Sequence, residues 1–228
     1  MDNVVQTIIN DIMRSGVQKY KCNLKPLGRG HFSTVYKHPE DDTKVIKITT
    51  ADVCNDGYPI FVDYIKNKQA YSIYPVVYEM HELQDKNDYP FNISVSERLF
   101  DYYELDREYQ DKVKHMFGAL MGIDDNFMID AIGDADLISK LFQNYKKRIP
   151  YNWGQLNTAQ CLELLEVHSM LYTLCSEWEP NWGMIPDIGG SNVMVRITPE
   201  HEFQCVVTDP IACGDIFHVN ENDEEFIA

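Results

Sequence analysis

Asp187-Ile-Gly-Gly-Ser-Asn192 runs into Val193-Met-Val, and beyond a turn comes Val206-Val207-Thr208-Asp209. The β-branched residues predict two strands of a hairpin. One carboxylate, one carboxamide and a second carboxylate are spaced across it. Phosphoryl transfer needs these groups, because charge spread over the phosphate oxygens calls for positioning and cations more than for covalent chemistry. Asp187 orients an acceptor hydroxyl on this reading, while Asn192 and Asp209 hold metal. Asp and Asn are common in loops, and Asp-x4-Asn by itself marks nothing. What lends it meaning is a matching element near the other end of the chain.

That element is Leu27-Gly-Arg-Gly-His-Phe-Ser-Thr-Val-Tyr-Lys37. Gly28 and Gly30 allow a tight turn and close approach to a ligand, and Ser33 stands where a third glycine completes Gly-x-Gly-x-x-Gly. A glycine-bearing hairpin is the plainer alternative. Next comes Val45-Ile46-Lys47-Ile48, a lysine among branched residues in a strand. Its ammonium suits the phosphates of a nucleotide.

Taken in order, glycine loop, strand lysine, Asp-x4-Asn and Asp resemble the protein-kinase-like superfamily. The chain looks most like the early serine/threonine protein kinases of T-seven-like bacteriophages (Teseptimavirus type), on Leu27 to Ser33, Val45 to Lys47, Asp187 to Met194 and Thr208 to Pro210. The resemblance implies an α+β, two-lobed fold: an N-terminal helix (1–19), a lobe with a five-stranded antiparallel sheet and a helix (20–100), and a reduced helical lobe (101–228). It implies ATP and Mg2+ as cofactors. Gly28, Gly30, Ser33, Val35, Lys47, Glu97 and Leu99 would bind nucleotide, with Glu97 to Leu99 as the linker at the adenine. Lys47 and Asp187 would be catalytic, and Asn192 and Asp209 metal ligands. Serine or threonine of host proteins would receive the phosphoryl group during infection, in the cytoplasm of a bacterial host.

Departures from the pattern bear on that reading. Pro210 stands where Phe is expected, Ile185-Pro186 replace His-Arg before Asp187, and 19 residues follow Asp209. No phosphate-regulated activation loop is expected. The helix after Lys47, expected over Tyr58 to Lys68, contains no Glu, so Asp63 is the candidate partner for the lysine.

Elsewhere Val5, Ile8, Ile9, Ile12 and Met13 form a helical stripe capped by Asp2 or Asn3 and stopped at Gly16. Strands are expected over Tyr20 to Leu27, Phe32 to His38, Thr43 to Thr49, Pro75 to Leu83 and Phe91 to Leu99. Helices are expected over Tyr109 to Leu120, Asp134 to Lys147 and Asn157 to Trp178, the last opened by the capping pair Asn157 and Gln160. His168 falls on the apolar stripe of that helix and reads as a core histidine, while Trp178 and Trp182 read as packing residues.

The chain of 228 residues holds 20 basic and 36 acidic residues, a formal charge of −16, which argues against nucleic acid; it serves solubility on the plainer reading and suits a basic partner or substrate on the other. Residues 220 to 225 form an acidic end. The six cysteines show no zinc or disulfide spacing, and no apolar run approaches the roughly 18 residues of a membrane span. A soluble intracellular protein is expected. Two other readings remain open at this level: an acidic inhibitor built on a kinase-like scaffold, and a small-molecule phosphotransferase.

Overall fold

The computed structural model describes residues 2–30, 32–50, 57–68, 72–123, 155–177 and 184–213. The helix expected over Asp134 to Lys147, both Trp178 and Trp182, and the acidic end lie outside them. The described residues fall into two compact units, Met1–Val62 with Pro75–Arg98, and Asp63–Tyr74 with Leu99–Ala228.

The first unit opens with α1 (Asn3–Ser15), capped by Asp2, whose carboxylate accepts from the amides of Val4 at 2.8 Å and Val5 at 3.4 Å. Gly16 ends it at φ 88°, a conformation open to glycine. The turn is then secured by Asp85, buried, which accepts from the Val17 amide at 2.7 Å and the Asn87 amide at 2.7 Å. Val5, Ile8, Ile9 and Ile12 are buried, but Met13 is 42% exposed, at the margin of the stripe.

Strands β1 (Pro26–Arg29), β2 (Ser33–Lys37), β3 (Lys44–Thr49), β4 (Val77–Gln84) and β5 (Pro90–Glu97) form one antiparallel sheet in the order β1-β2-β3-β5-β4. Helix α2 (Tyr58–Ile65) follows β3. The fold is α+β, with the strand count and helix placement expected of the first lobe of a kinase-like fold. Ile46, Ile48, Phe91, Ile93 and Val95 pack with the apolar stripe of α1. Burial of each such side chain contributes about 1.5–3 kcal/mol.

One strand is shorter than expected. Pairing starts at Pro26, not Tyr20, and a register shift lies between Pro26 and Gly28. Tyr20, Cys22 and Leu24 still pack against the core. Their alternation therefore reports burial on one side of the chain, which an unpaired extended segment satisfies as well as a strand does.

In the second unit β8 (Val193–Ile197) pairs with β9 (Phe203–Val207) and with β6 (Phe100–Asp101), while β7 (Met184–Pro186) pairs with β10 (Ile211–Cys213). Helices α3 (Arg107–Leu120) and α4 (Thr158–Glu177) belong to it. The start of α4 is the expected reciprocal cap: the Asn157 amide donates to Gln160 Oε1 at 3.0 Å, and the Gln160 amide to Asn157 Oδ1 at 2.9 Å. Tyr102 stacks on Phe117 at 3.9 Å, and Tyr109 on Phe203 at 4.7 Å.

The segment Asp63–Tyr74 is bound into this unit by side chains whose role was not read from sequence. Arg196 donates to the carbonyls of Ser72 at 2.6 Å and Tyr74 at 2.8 Å, and the Val207 amide donates to the carbonyl of Ile73 at 2.8 Å. Lys68 pairs with Glu166 at 3.0 Å.

Candidate functional site

Asp187, Asn192 and Asp209 are brought together by backbone bonds. The β7–β10 ladder sets Ile211 opposite Pro186, so the amide of Asp187 donates to the carbonyl of Pro210 at 2.7 Å. The β8–β9 register sets Val193 opposite Val207, and the amide of Thr208 donates to the carbonyl of Asn192 at 2.9 Å. Asp209 is thus held between two residues that are each tied to a partner in the Asp187–Asn192 loop. A one-turn 3-10 segment, Gly190–Asn192, shapes that loop. A Cβ on Gly190 would lie 3.3 Å from the ring of Tyr103, a tight but adjustable contact since that ring is largely exposed.

The side chain of Asn192 donates to the Asp187 carbonyl at 2.7 Å and to its carboxylate at 3.0 Å. Burial pushes the Asp187 carboxyl above the ordinary carboxylate range, and the Asn192 hydrogen bond opposes that push. Because the amide nitrogen is turned to Asp187, the carbonyl oxygen of Asn192 faces away from it. That oxygen and the Asp209 carboxylate are hard donors of the kind magnesium takes, with phosphate oxygens and waters completing its shell. Among the described residues no group of three or more His, Cys, Asp or Glu side chains could hold a metal ion.

In the first unit, Lys47 lies on β3 opposite Val35 of β2 and Ser94 of β5, so the three share one face of the sheet. The side chain is 8% exposed, and its ammonium lies 3.5 Å from the centroid of the Tyr58 ring. The Tyr58 hydroxyl lies 3.2 Å from the hydroxyl of Ser94. Asp63, the carboxylate expected to meet the lysine, is 77% exposed and pairs with Lys66 at 2.7 Å. The reason is helical spacing: Tyr58, Phe61, Val62 and Ile65 are all buried and form one stripe, which leaves Asp63 outside it. Tyr58 was missed because a helix-start aromatic beside apolar residues reads as core.

The glycine hairpin is exposed at Gly28 and Gly30. The Gly30 amide donates to the Ser33 carbonyl at 2.8 Å and so closes the turn. Around Gly28 nothing would meet an added Cβ within 4 Å, which leaves room for a ligand to approach the backbone. A cavity of about 310 Å3 also borders Gly30 and Ser33, with Tyr20, Tyr36 and Ile48 in its wall. Tyr36 and Ile48 belong to the α1 side of the sheet, opposite to Lys47, so this cavity is separate from the lysine face. Glu97 ends β5, its carboxylate accepts from the Val76 amide at 2.8 Å, and Leu99 follows at the boundary of the two units.

No family model and no curated protein matches the chain. Among solved structures, a thermostable mutant of aminoglycoside phosphotransferase APH(4)-Ia in apo form is similar at 14% identity, over 92% of this chain and 74% of that one, with a TM-score of 0.38. A complex of APH(2")-IIia with GDP and kanamycin is similar at 10% identity, over 90% and 73%, with a TM-score of 0.36. These TM-scores are too low for residues or substrates to be carried across.

Proposed function

We propose that the chain transfers the γ-phosphoryl group of magnesium-bound ATP to a hydroxyl group, and that the acceptor is serine or threonine of a host protein. The observation that carries the proposal is the convergence of Asp187, Asn192 and Asp209 on paired backbone bonds, in a chain that also buries Lys47 on the strand paired with the glycine hairpin. Bound ATP supplies the phosphoryl donor, and magnesium neutralises its charge. Lys47 would meet the phosphates, Asn192 Oδ1 and the Asp209 carboxylate would hold metal, and the room around Gly28 would admit phosphate oxygens. Asp187 would orient the acceptor and take its proton as the oxygen bonds to phosphorus and the β–γ bridge breaks, leaving ADP. A carboxyl held above its ordinary range is a better match to that proton than an exposed one.

A formal charge of −16 suits a basic acceptor of either class, and the choice of a protein acceptor rests on the sequence resemblance. No helix among the described residues is long and apolar enough to cross a membrane. The proposed setting is the cytoplasm of an infected bacterium, on the sequence resemblance. Incubating the purified chain with γ-labelled ATP, magnesium and bacterial lysate tests this, with phosphoamino-acid analysis of labelled bands. Label on serine or threonine is expected. Label confined to small molecules would move the acceptor to that class, and no label with no nucleotide-dependent shift in melting would overturn the proposal.

A further inference from the structure

We infer that Tyr58 is the positioning residue for Lys47, holding the ammonium for phosphate through the face of its ring; this rests on the nucleotide reading above.

A lysine that is 8% exposed has lost most of its hydration and must be repaid by nearby electron density. The Tyr58 ring, itself 4% exposed, supplies this at 3.5 Å from centroid to ammonium, well inside the range over which a cation and a ring attract. Burial holds the ring in place, and its hydroxyl lies 3.2 Å from that of Ser94, the cross-strand neighbour of Lys47. The lysine, the ring and the serine thus close a triangle with two corners on adjacent strands and the third at the start of α2.

The test compares Tyr58→Leu with Tyr58→Phe, which keeps the ring and loses only the hydroxyl. Two quantities are read: the ε-methylene NMR signal of Lys47, assigned by its disappearance in Lys47→Met, and the KM for ATP with kcat. In the wild type the signal is expected well upfield of other lysines, because the methylene is bonded to an ammonium that lies 3.5 Å from the ring centroid. Tyr58→Leu is expected to return it to the ordinary position and to reduce kcat/KM for ATP by about tenfold or more, as loss of a buried cation–ring contact implies. Tyr58→Phe is expected to recover both. An unshifted wild-type signal overturns the inference, as does a Leu variant with wild-type kinetics. If the Leu variant does not fold, the wild-type signal and the Phe variant still decide, since a Phe variant that keeps the upfield signal but loses ATP kinetics also overturns it. A wild type with the upfield signal that neither binds nor uses ATP would overturn the nucleotide reading instead.

Discussion

The amide of Asn192 donates at once to the backbone carbonyl of Asp187, at 2.7 Å, and to its carboxylate, at 3.0 Å. One carboxamide thereby sets both the loop and the orientation of the acid. Burial holds that acid above the ordinary value of 3.8 despite the bond.

From this pair comes a prediction about Asp187→Asn. A carboxyl whose folded pKa is raised favours its protonated form, so stability declines as pH rises from 3.8 through the folded value and stays reduced above it. The neutral amide removes that loss and can still accept from Asn192. The variant should melt at or above the wild-type temperature at neutral pH, with the difference vanishing in acid, and should have no transfer activity. Melting scans at several pH values check it, and an equal deficit at every pH would contradict it.

Magnesium ATP should raise the stability of the wild type by about 2.7 kcal/mol at a concentration one hundred times the dissociation constant. In Lys47→Met and Asp209→Asn the gain should shrink, because each removes a charge that meets phosphate or metal. Thermal shift with and without magnesium measures this. A full gain without the metal would remove Asn192 and Asp209 from their assigned role.

Two glycines should respond in opposite ways. Gly16 sits at φ 88°, and a Cβ there would come within 2.9 Å of Asn87 Nδ2, so Gly16→Ala should cost about 1–3 kcal/mol with ATP affinity unchanged. Gly28 has open space around it, so Gly28→Ala should fold normally and bind ATP more weakly. Denaturant unfolding together with calorimetry separates the two effects.

His168, buried on α4, should make the protein acid-sensitive. Burial lowers its pKa from 6.5 to about 4, so its contribution to stability is fully present above pH 6.5 and is lost as pH falls toward 4. The loss amounts to about 3 kcal/mol. His168→Met should flatten stability across that window, as urea unfolding at pH 4.5 and 7 would show.

Much of this molecule was determined by sequence alone. The stripe and cap of α1, strands β2 to β5, the capping pair of α4 and the hairpin from Val193 to Val207 all follow from local rules: periodicity, turn residues and side chains that satisfy nearby amides. The candidate residues Lys47, Asp187, Asn192 and Asp209 were also visible, because their types and order carry chemistry. Tertiary structure decided which groups meet. Periodicity could have placed Asp63 outside the buried stripe, yet only the sheet register, by setting Ser94 beside Lys47, shows that the ring of Tyr58 takes the lysine. Likewise, nothing near Arg196 in sequence announces that it holds the carbonyls of Ser72 and Tyr74. A side chain's partner across the fold depends on register and burial summed over the whole chain, and those are settled only when the strands have paired.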